Sequence, residues 1–348
     1  MNKERNFYMD ALKAINIILV VLGHCIQYGS GKEYALGAFF YNPVFIFIYS
    51  FHMPLFMLIS GCLFASSIKT KKWNELLYAK FKQLIIPLCS WSVISLFISI
   101  GKSSRGLSSE SINVLWIVKK LISGFVYGPW FLWAVWWCSF VIIVVRRFFR
   151  DSPIVYFLGS VLTFVITDAL NLALYKFMWP FFLFAYIFNT YDYRSKLKKI
   201  YLNKGFIACT FIVFGFLLFF YNYDSYIYTS GYSVLNKNVA IQIYTNCFRF
   251  IIGMVGSIST MYLIYVLVRV LPNAMNNLLS YIGKNTLGIY IISGIVFAEL
   301  LPKITSSLKG INYLYIFIET MGVLCFSILI NALLKRFKIT NRLFLGGR

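Results

Sequence analysis

MDALKAINIILVVLGHCIQY, residues 9–28, decides how this chain is read. The segment has the length that crosses a bilayer, about 20 mostly apolar residues. Yet it carries Asp10, Lys13, Asn16, His24 and Gln27. An ionisable side chain in hydrocarbon is costly, so each is a functional candidate. At about 100° per residue, Lys13 and His24 fall within roughly 20° on one helix face, and Asp10 lies about 40° to the other side of His24. The three make one polar stripe, rising about 16 Å from Lys13 to His24. Lys3 and Arg5 precede the segment as in a signal peptide, but Asp10 and Lys13 interrupt it and no small-residue cleavage site closes it. It is expected to be a retained first helix.

Outward from that helix the whole chain has the same character. Of 348 residues, 60% are apolar and 13% charged, with a mean hydropathy of +0.75. A soluble fold could not hide so much apolar surface under a polar skin. Ten segments reach spanning length or near it, at roughly 11–30, 39–66, 82–100, 130–148, 154–170, 172–189, 205–222, 243–270, 281–301 and 311–334. The stretch 112–127 is shorter and carries Lys119 and Lys120 in mid-run, so it reads as interfacial or re-entrant. There is no internal repeat, linker or soluble domain. The expectation is one all-α domain over 1–348, a polytopic integral membrane protein of about ten transmembrane helices.

The formal net charge is +22, from 33 basic and 11 acidic residues. Nucleic acid would suit such a balance, but the basic residues form short clusters between apolar runs rather than one stripe, as topology signals do. With the N-terminus in the cytoplasm, 22 of the 33 fall on the inner side: Lys3, Arg5; Lys69, Lys71, Lys72, Lys80, Lys82; Arg146, Arg147, Arg150; Arg194, Lys196, Lys198, Lys199, Lys204; Arg269, Lys284; Lys335, Arg336, Lys338, Arg342, Arg348. Eight fall outside. This bias predicts ten spans with both termini in the cytoplasm, and contact with the lipid bilayer rather than nucleic acid. The many Lys, Asn, Ile and Tyr residues suggest an AT-rich bacterial coding sequence, and with it a multi-pass place in a bacterial inner membrane.

Only two histidines exist, His24 and His52, and both lie in apolar segments. Histidine titrates near neutrality and can take a proton from an acceptor hydroxyl, so His24, with Asp10 on its stripe, is the catalytic candidate. His52 sits two residues before Pro54 and has a structural reading as a partner for backbone freed by the proline. Lys176 can snorkel. Arg249 opens the eighth segment, and Asp168, Glu299 and Glu319 read as charge partners. The seven cysteines are single and read as small apolar residues, with no metal site expected. GPWFLWAVWW (128–137) is either an interfacial aromatic belt or a sugar-stacking platform through Trp130.

Five stretches in order carry a family resemblance: MDALKAINIILVVLGH (9–24), FHMPLFMLISG (51–61), AKFKQLIIP (79–87), GPWFLWAVW (128–136) and IGKNTLGIYIIS (282–293). Together they resemble the membrane O-acyltransferases of the acyltransferase-3 superfamily. The first has an acidic residue, a basic residue and, eleven positions later, a histidine; Lys13 and Lys80 stand where arginine is common. Ser293 stands where many members carry histidine, which leaves His24 as the expected sole base. The resemblance implies an acyl-coenzyme A donor, most commonly acetyl-CoA, held through its phosphates by Lys13, Lys80 and Lys82, and a glycan or polysaccharide hydroxyl as acceptor. Trp130, Arg249, Asn285 and His52 are the acceptor-side candidates, and a homodimer is compatible with the sequence. The rival reading is a transporter or flippase of a lipid-linked glycan, which also needs buried polar groups; no two-fold repeat supports it.

Overall fold

A computed structural model describes residues 7–105, 111–191, 193, 203–305 and 310–347. Of the charges counted above, Lys3, Arg5, Arg194, Lys196, Lys198, Lys199, Lys309 and Arg348 lie outside the described residues. Among the described residues there is no strand. The principal helices are α1 (Phe7–Tyr28), α2 (Pro43–Ile68), α3 (Trp73–Ser104), α4 (Val114–Val126), α5 (Trp130–Phe148), α6 (Pro153–Val165), α7 (Leu172–Thr190), α8 (Lys204–Leu218), α9 (Val239–Val270), α10 (Asn273–Lys284), α11 (Thr286–Ile304), α12 (Tyr313–Arg336) and α13 (Lys338–Leu345).

Eight of these, α1, α2, α3, α5, α7, α9, α11 and α12, are long and apolar enough to cross a membrane. All ten predicted segments fall on helices, but α6 and α8 have only 13 and 15 residues. At 1.5 Å per residue they are about 20 Å and 22 Å long, short of a hydrocarbon core of roughly 30 Å. The segment read as 281–301 is broken at Asn285, where α10 gives way to α11. The 112–127 stretch forms α4, whose 13 residues are too few to span.

Asparagine sets many of the helix starts. Asn42, Asn113, Asn203, Asn238 and Asn312 each accept a hydrogen bond from a backbone amide of the first turn of α2, α4, α8, α9 and α12, satisfying donors the helix cannot. α2 adds Pro43 in its first turn, where the missing N–H costs nothing.

α2 is the centre of the bundle and is packed by α1, α7 and α9. Close approach rests on small residues, as expected where lipid gives no hydrophobic drive between helices: a Cβ on Gly61 would stand 2.5 Å from the Phe182 carbonyl of α7. Pro54 interrupts the backbone ladder of α2, and neighbouring side chains cap carbonyls near it. Asn16 Nδ2 donates to the His52 carbonyl at 2.7 Å and Ser257 Oγ to that of Phe51 at 3.4 Å. Outward-facing apolar side chains such as Ile154, Phe157 and Leu158 of α6 are two-thirds exposed or nearly so. Of the seven cysteines only Cys25 and Cys138 are buried; Cys89, Cys209, Cys247 and Cys325 lie on the exposed surface, and none is in a disulfide.

Candidate active site

Two cavities lie between α1, α2, α3, α5 and α11. The smaller, of about 130 Å³, is bordered by Lys13 and Lys80. The larger, of about 450 Å³, is bordered by His24, His52 and Trp130. Val20, Met53 and Tyr290 border both. Along α1 the order is Lys13, Ile17, Val20, His24; along α11 it is Thr286, Leu287, Tyr290, Ser293, Phe297. α2 runs the other way, with Tyr49 and His52 on the large cavity, Met53 shared, and Phe56, Ser60 and Leu63 on the small one. α5 also runs the other way, changing sides between Trp130 and Phe131. α3 runs with α1, placing Lys80 and Leu84 on the small cavity and Trp91, Ser95 and Ser99 on the large one, so five helices of mixed direction pass from one cavity to the other.

His24 Nδ1 lies 2.9 Å from the Val20 carbonyl. A carbonyl only accepts, so Nδ1 carries the proton and Nε2 keeps its lone pair. The ring is stacked on Phe297, with centroids 5.0 Å apart. His52 is tied in the same way, its Nδ1 2.8 Å from the Ile48 carbonyl. Tyr49 stands between the two imidazoles, 4.6 Å from the His52 ring and 6.3 Å from that of His24, and its hydroxyl is 3.5 Å from His24 Nδ1. Gly23 makes this arrangement possible, because a Cβ there would stand 2.8 Å from the Tyr49 ring.

The charged end of the stripe is organised separately. Lys13 Nζ pairs with Asp10 Oδ1 at 2.8 Å, and Ser280 Oγ donates to Asp10 Oδ2 at 3.2 Å. Asp10 is therefore a partner of Lys13 and α10, not of His24, which lies fourteen residues and about 21 Å further along the helix. Lys80 faces the small cavity just before a π-helical turn, Phe81–Ile85; Lys82, inside that turn, is half-buried and borders neither cavity. A second π turn, Val296–Leu300, holds Phe297 against His24 and places Glu299 on the large cavity, paired with Lys102 of α3. Inserted turns of this kind re-aim side chains and cluster at functional sites.

Two sequence candidates are committed elsewhere. Arg249 is 2% exposed and borders a small recess of about 30 Å³ beside His52, but its donors are occupied. It gives hydrogen bonds to the carbonyls of Asp224, Ser225, Tyr226 and Gly231, to Asn246 Oδ1 at 2.9 Å and to Ser230 Oγ. It staples the 222–233 segment, whose Tyr228 reaches the large cavity. Asn285 joins helices: its Oδ1 accepts from Asn331 Nδ2 at 2.6 Å and Lys335 Nζ at 2.7 Å, and its Nδ2 donates to the Tyr281 carbonyl.

Lys176 does not snorkel. It is 5% exposed, pairs with Asp168 and donates to the Ile166 carbonyl at 2.6 Å. Asp168 also accepts from the amides of Tyr232 and Ser233 at 2.6 and 2.9 Å, and from Asn236 Nδ2. Burial raises the Asp168 pKa, but Lys176 and these donors outweigh it and hold the carboxyl below the usual aspartate range. Glu319 differs: its oxygens are buried with no hydrogen bond among the described residues. Tyr49, Met53, Tyr290 and Phe297 were not singled out by the sequence, being neutral residues among 25 tyrosines, 35 phenylalanines and nine methionines.

A bundle with eight helices long and apolar enough to span, a histidine on one cavity and lysines on an adjoining one, has the architecture of a polytopic membrane protein with polar groups gathered at its centre. Residues 6–336 match the acyltransferase domain of the acyltransferase-3 type, and the chain belongs to that family. It is similar to the nodulation protein NolL of Mesorhizobium japonicum, 29% identical over 197 residues that cover 53% of this chain and 48% of that protein. The NolL of Sinorhizobium fredii is 29% identical over 188 residues, covering 53% of this chain and 49% of that protein. The chain thus spans about half the length of the curated relatives it matches. No solved structure matches it.

Proposed function

We propose that this chain is a membrane-embedded O-acyltransferase that moves an acyl group, in the simplest case acetyl, from cytoplasmic acyl-coenzyme A to a sugar hydroxyl of an extracytoplasmic or lipid-linked glycan at the bacterial inner membrane. The observation that carries the reading is the meeting of the two cavities at one level, with lysines on one side and His24 on the other. Lys13, held in place by Asp10, and Lys80 are cations suited to phosphate. The rise from Lys13 to His24, about 16 Å, is of the order of a phosphopantetheine arm.

With the thioester beside His24, Nε2 takes the proton of the acceptor hydroxyl as its oxygen attacks the carbonyl carbon. The carbon–sulfur bond breaks, and the proton passes to the departing thiolate. Nε2 is also the atom that would carry the acyl group in a two-step transfer. Trp130 and Tyr228 on the large cavity offer apolar faces to a sugar ring.

The test is acetyl-coenzyme A binding and turnover in nanodiscs by wild type, His24→Ala and Lys13→Ala. Expected are binding with slow hydrolysis by wild type, binding without turnover by His24→Ala, and weak binding by Lys13→Ala. A wild type that binds neither acetyl- nor succinyl-coenzyme A removes the enzyme reading and leaves glycan transport as the leading one.

A further inference from the structure

Val20, Met53 and Tyr290 are the residues that border both cavities. They come from three different helices, α1, α2 and α11; α5 adds Phe131 on the small-cavity side, and α3 passes the same level between Leu84 and Trp91. The Phe131 ring lies 5.5 Å from that of Phe56 and 6.0 Å from that of Tyr290, and its amide donates to the Tyr290 hydroxyl at 3.4 Å. Tyr290 is thereby tied to the first turn of α5, where amides lack helical partners. The side chains narrowing the passage are Val20, Met53, Phe131 and the Tyr290 ring, three of them purely apolar.

We propose that this collar sets which acyl group the protein transfers: it admits a short, uncharged acyl chain and rejects longer or anionic ones. The inference rests on the acyltransferase reading above. For a donor held by Lys13 and Lys80, the acyl group is the first part to pass the collar on the way to His24, and the end of the pantetheine arm follows it. The pantetheine arm behind it is the same in every donor. Donors therefore differ only in the acyl group, and the collar is where the walls first close around it. Each added methylene has to displace a packed side chain, and a carboxylate, as in succinyl, would enter an apolar ring with no charge partner on the collar itself. Met53 is the natural adjustable element, being unbranched and set one residue before Pro54, where the α2 ladder is already interrupted.

The experiment compares acetyl-, butyryl- and succinyl-coenzyme A hydrolysis by the full chain in nanodiscs, for wild type, Met53→Ala, Val20→Ala and the volume-conserving Met53→Leu. Wild type is expected to favour acetyl over butyryl at least tenfold in kcat/KM. Met53→Ala is expected to shift that butyryl-to-acetyl ratio by tenfold or more towards butyryl, Val20→Ala by a smaller factor in the same direction, and Met53→Leu hardly at all. Succinyl should stay poor in every variant, because enlarging an apolar ring supplies no cation. Variants that turn over donor with the wild-type ratio overturn the filter while leaving the enzyme reading intact. A wild type that hydrolyses butyryl or succinyl as well as acetyl also overturns it. No turnover of any donor by wild type is a different outcome, because it removes the acyltransferase reading itself. Val20→Ala deletes two methyl groups, so it keeps the test alive should Met53→Ala fail to fold.

Discussion

His24 and Arg249 are polar side chains near the same end of the bundle, both bordering cavity space around His52, and the fold treats them in opposite ways. Arg249 spends its guanidinium on four carbonyls, an amide oxygen and a hydroxyl. His24 makes one strong hydrogen bond, to its own helix, and that bond leaves a ring nitrogen unprotonated beside the large cavity. A buried polar group whose partners are complete is part of the scaffold. One that is held in orientation with capacity left over is free to meet a ligand, which is what the proposed role of His24 requires.

The contrast can be broken at four points, from the largest expected effect to the smallest. His24→Ala should cut acyl transfer about a thousandfold, roughly 4 kcal/mol, with the thermal unfolding midpoint unmoved; a variant retaining activity ends the catalytic assignment. Arg249→Met should lower unfolding free energy by about 3 kcal/mol, since it strands several buried acceptors. Denaturant unfolding in mild detergent reads this directly, and a stable but inactive Arg249→Met protein would instead return Arg249 to the acceptor site. Lys13→Ala should raise KM for acetyl-coenzyme A about tenfold with little change in kcat, as loss of a charge-assisted phosphate contact does. A fall in kcat alone would say that Lys13 acts on the reacting end.

The smallest effect is that of pH at Asp168. Its carboxyl is held below the usual range in the folded chain, so it contributes stability that is present above its unfolded value, about 3.9, and is lost as pH falls through the lower folded value. Protection of residues 232–236 from proteolysis should decline across that acid window. Asp168→Asn should remove the pH dependence.

Much of this architecture is legible in the sequence because the bilayer is a strict solvent. The stripe of Asp10, Lys13 and His24 follows from helical spacing alone, and the ten apolar segments all become helices. What was illegible depends on distant partners. Asn285 read as a ligand-side residue because its partners, Asn331 and Lys335, lie 46 and 50 positions away. Arg249 is similar, stapled to a segment about 20 residues upstream that has no helical period of its own. Asp10 read as a companion of His24 because both share a face, whereas axial rise separates them and Ser280 of α10 claims the carboxylate. Lys82 looked equivalent to Lys80 until the π turn placed it outside the cavity. Tyr49 gave no signal, being neutral, although Gly23 beside His24 marks the space its ring fills.

The ring of Val20, Met53, Phe131 and Tyr290 has an electrical consequence. A chain that hollows a bilayer at two levels thins the insulator there, and each elementary charge crossing is driven by about 2.3 kcal/mol per 100 mV. A bottleneck of three apolar side chains, with its one hydroxyl already accepting from the Phe131 amide, would let such a protein hold a basic vestibule and a histidine vestibule in one membrane without discharging it.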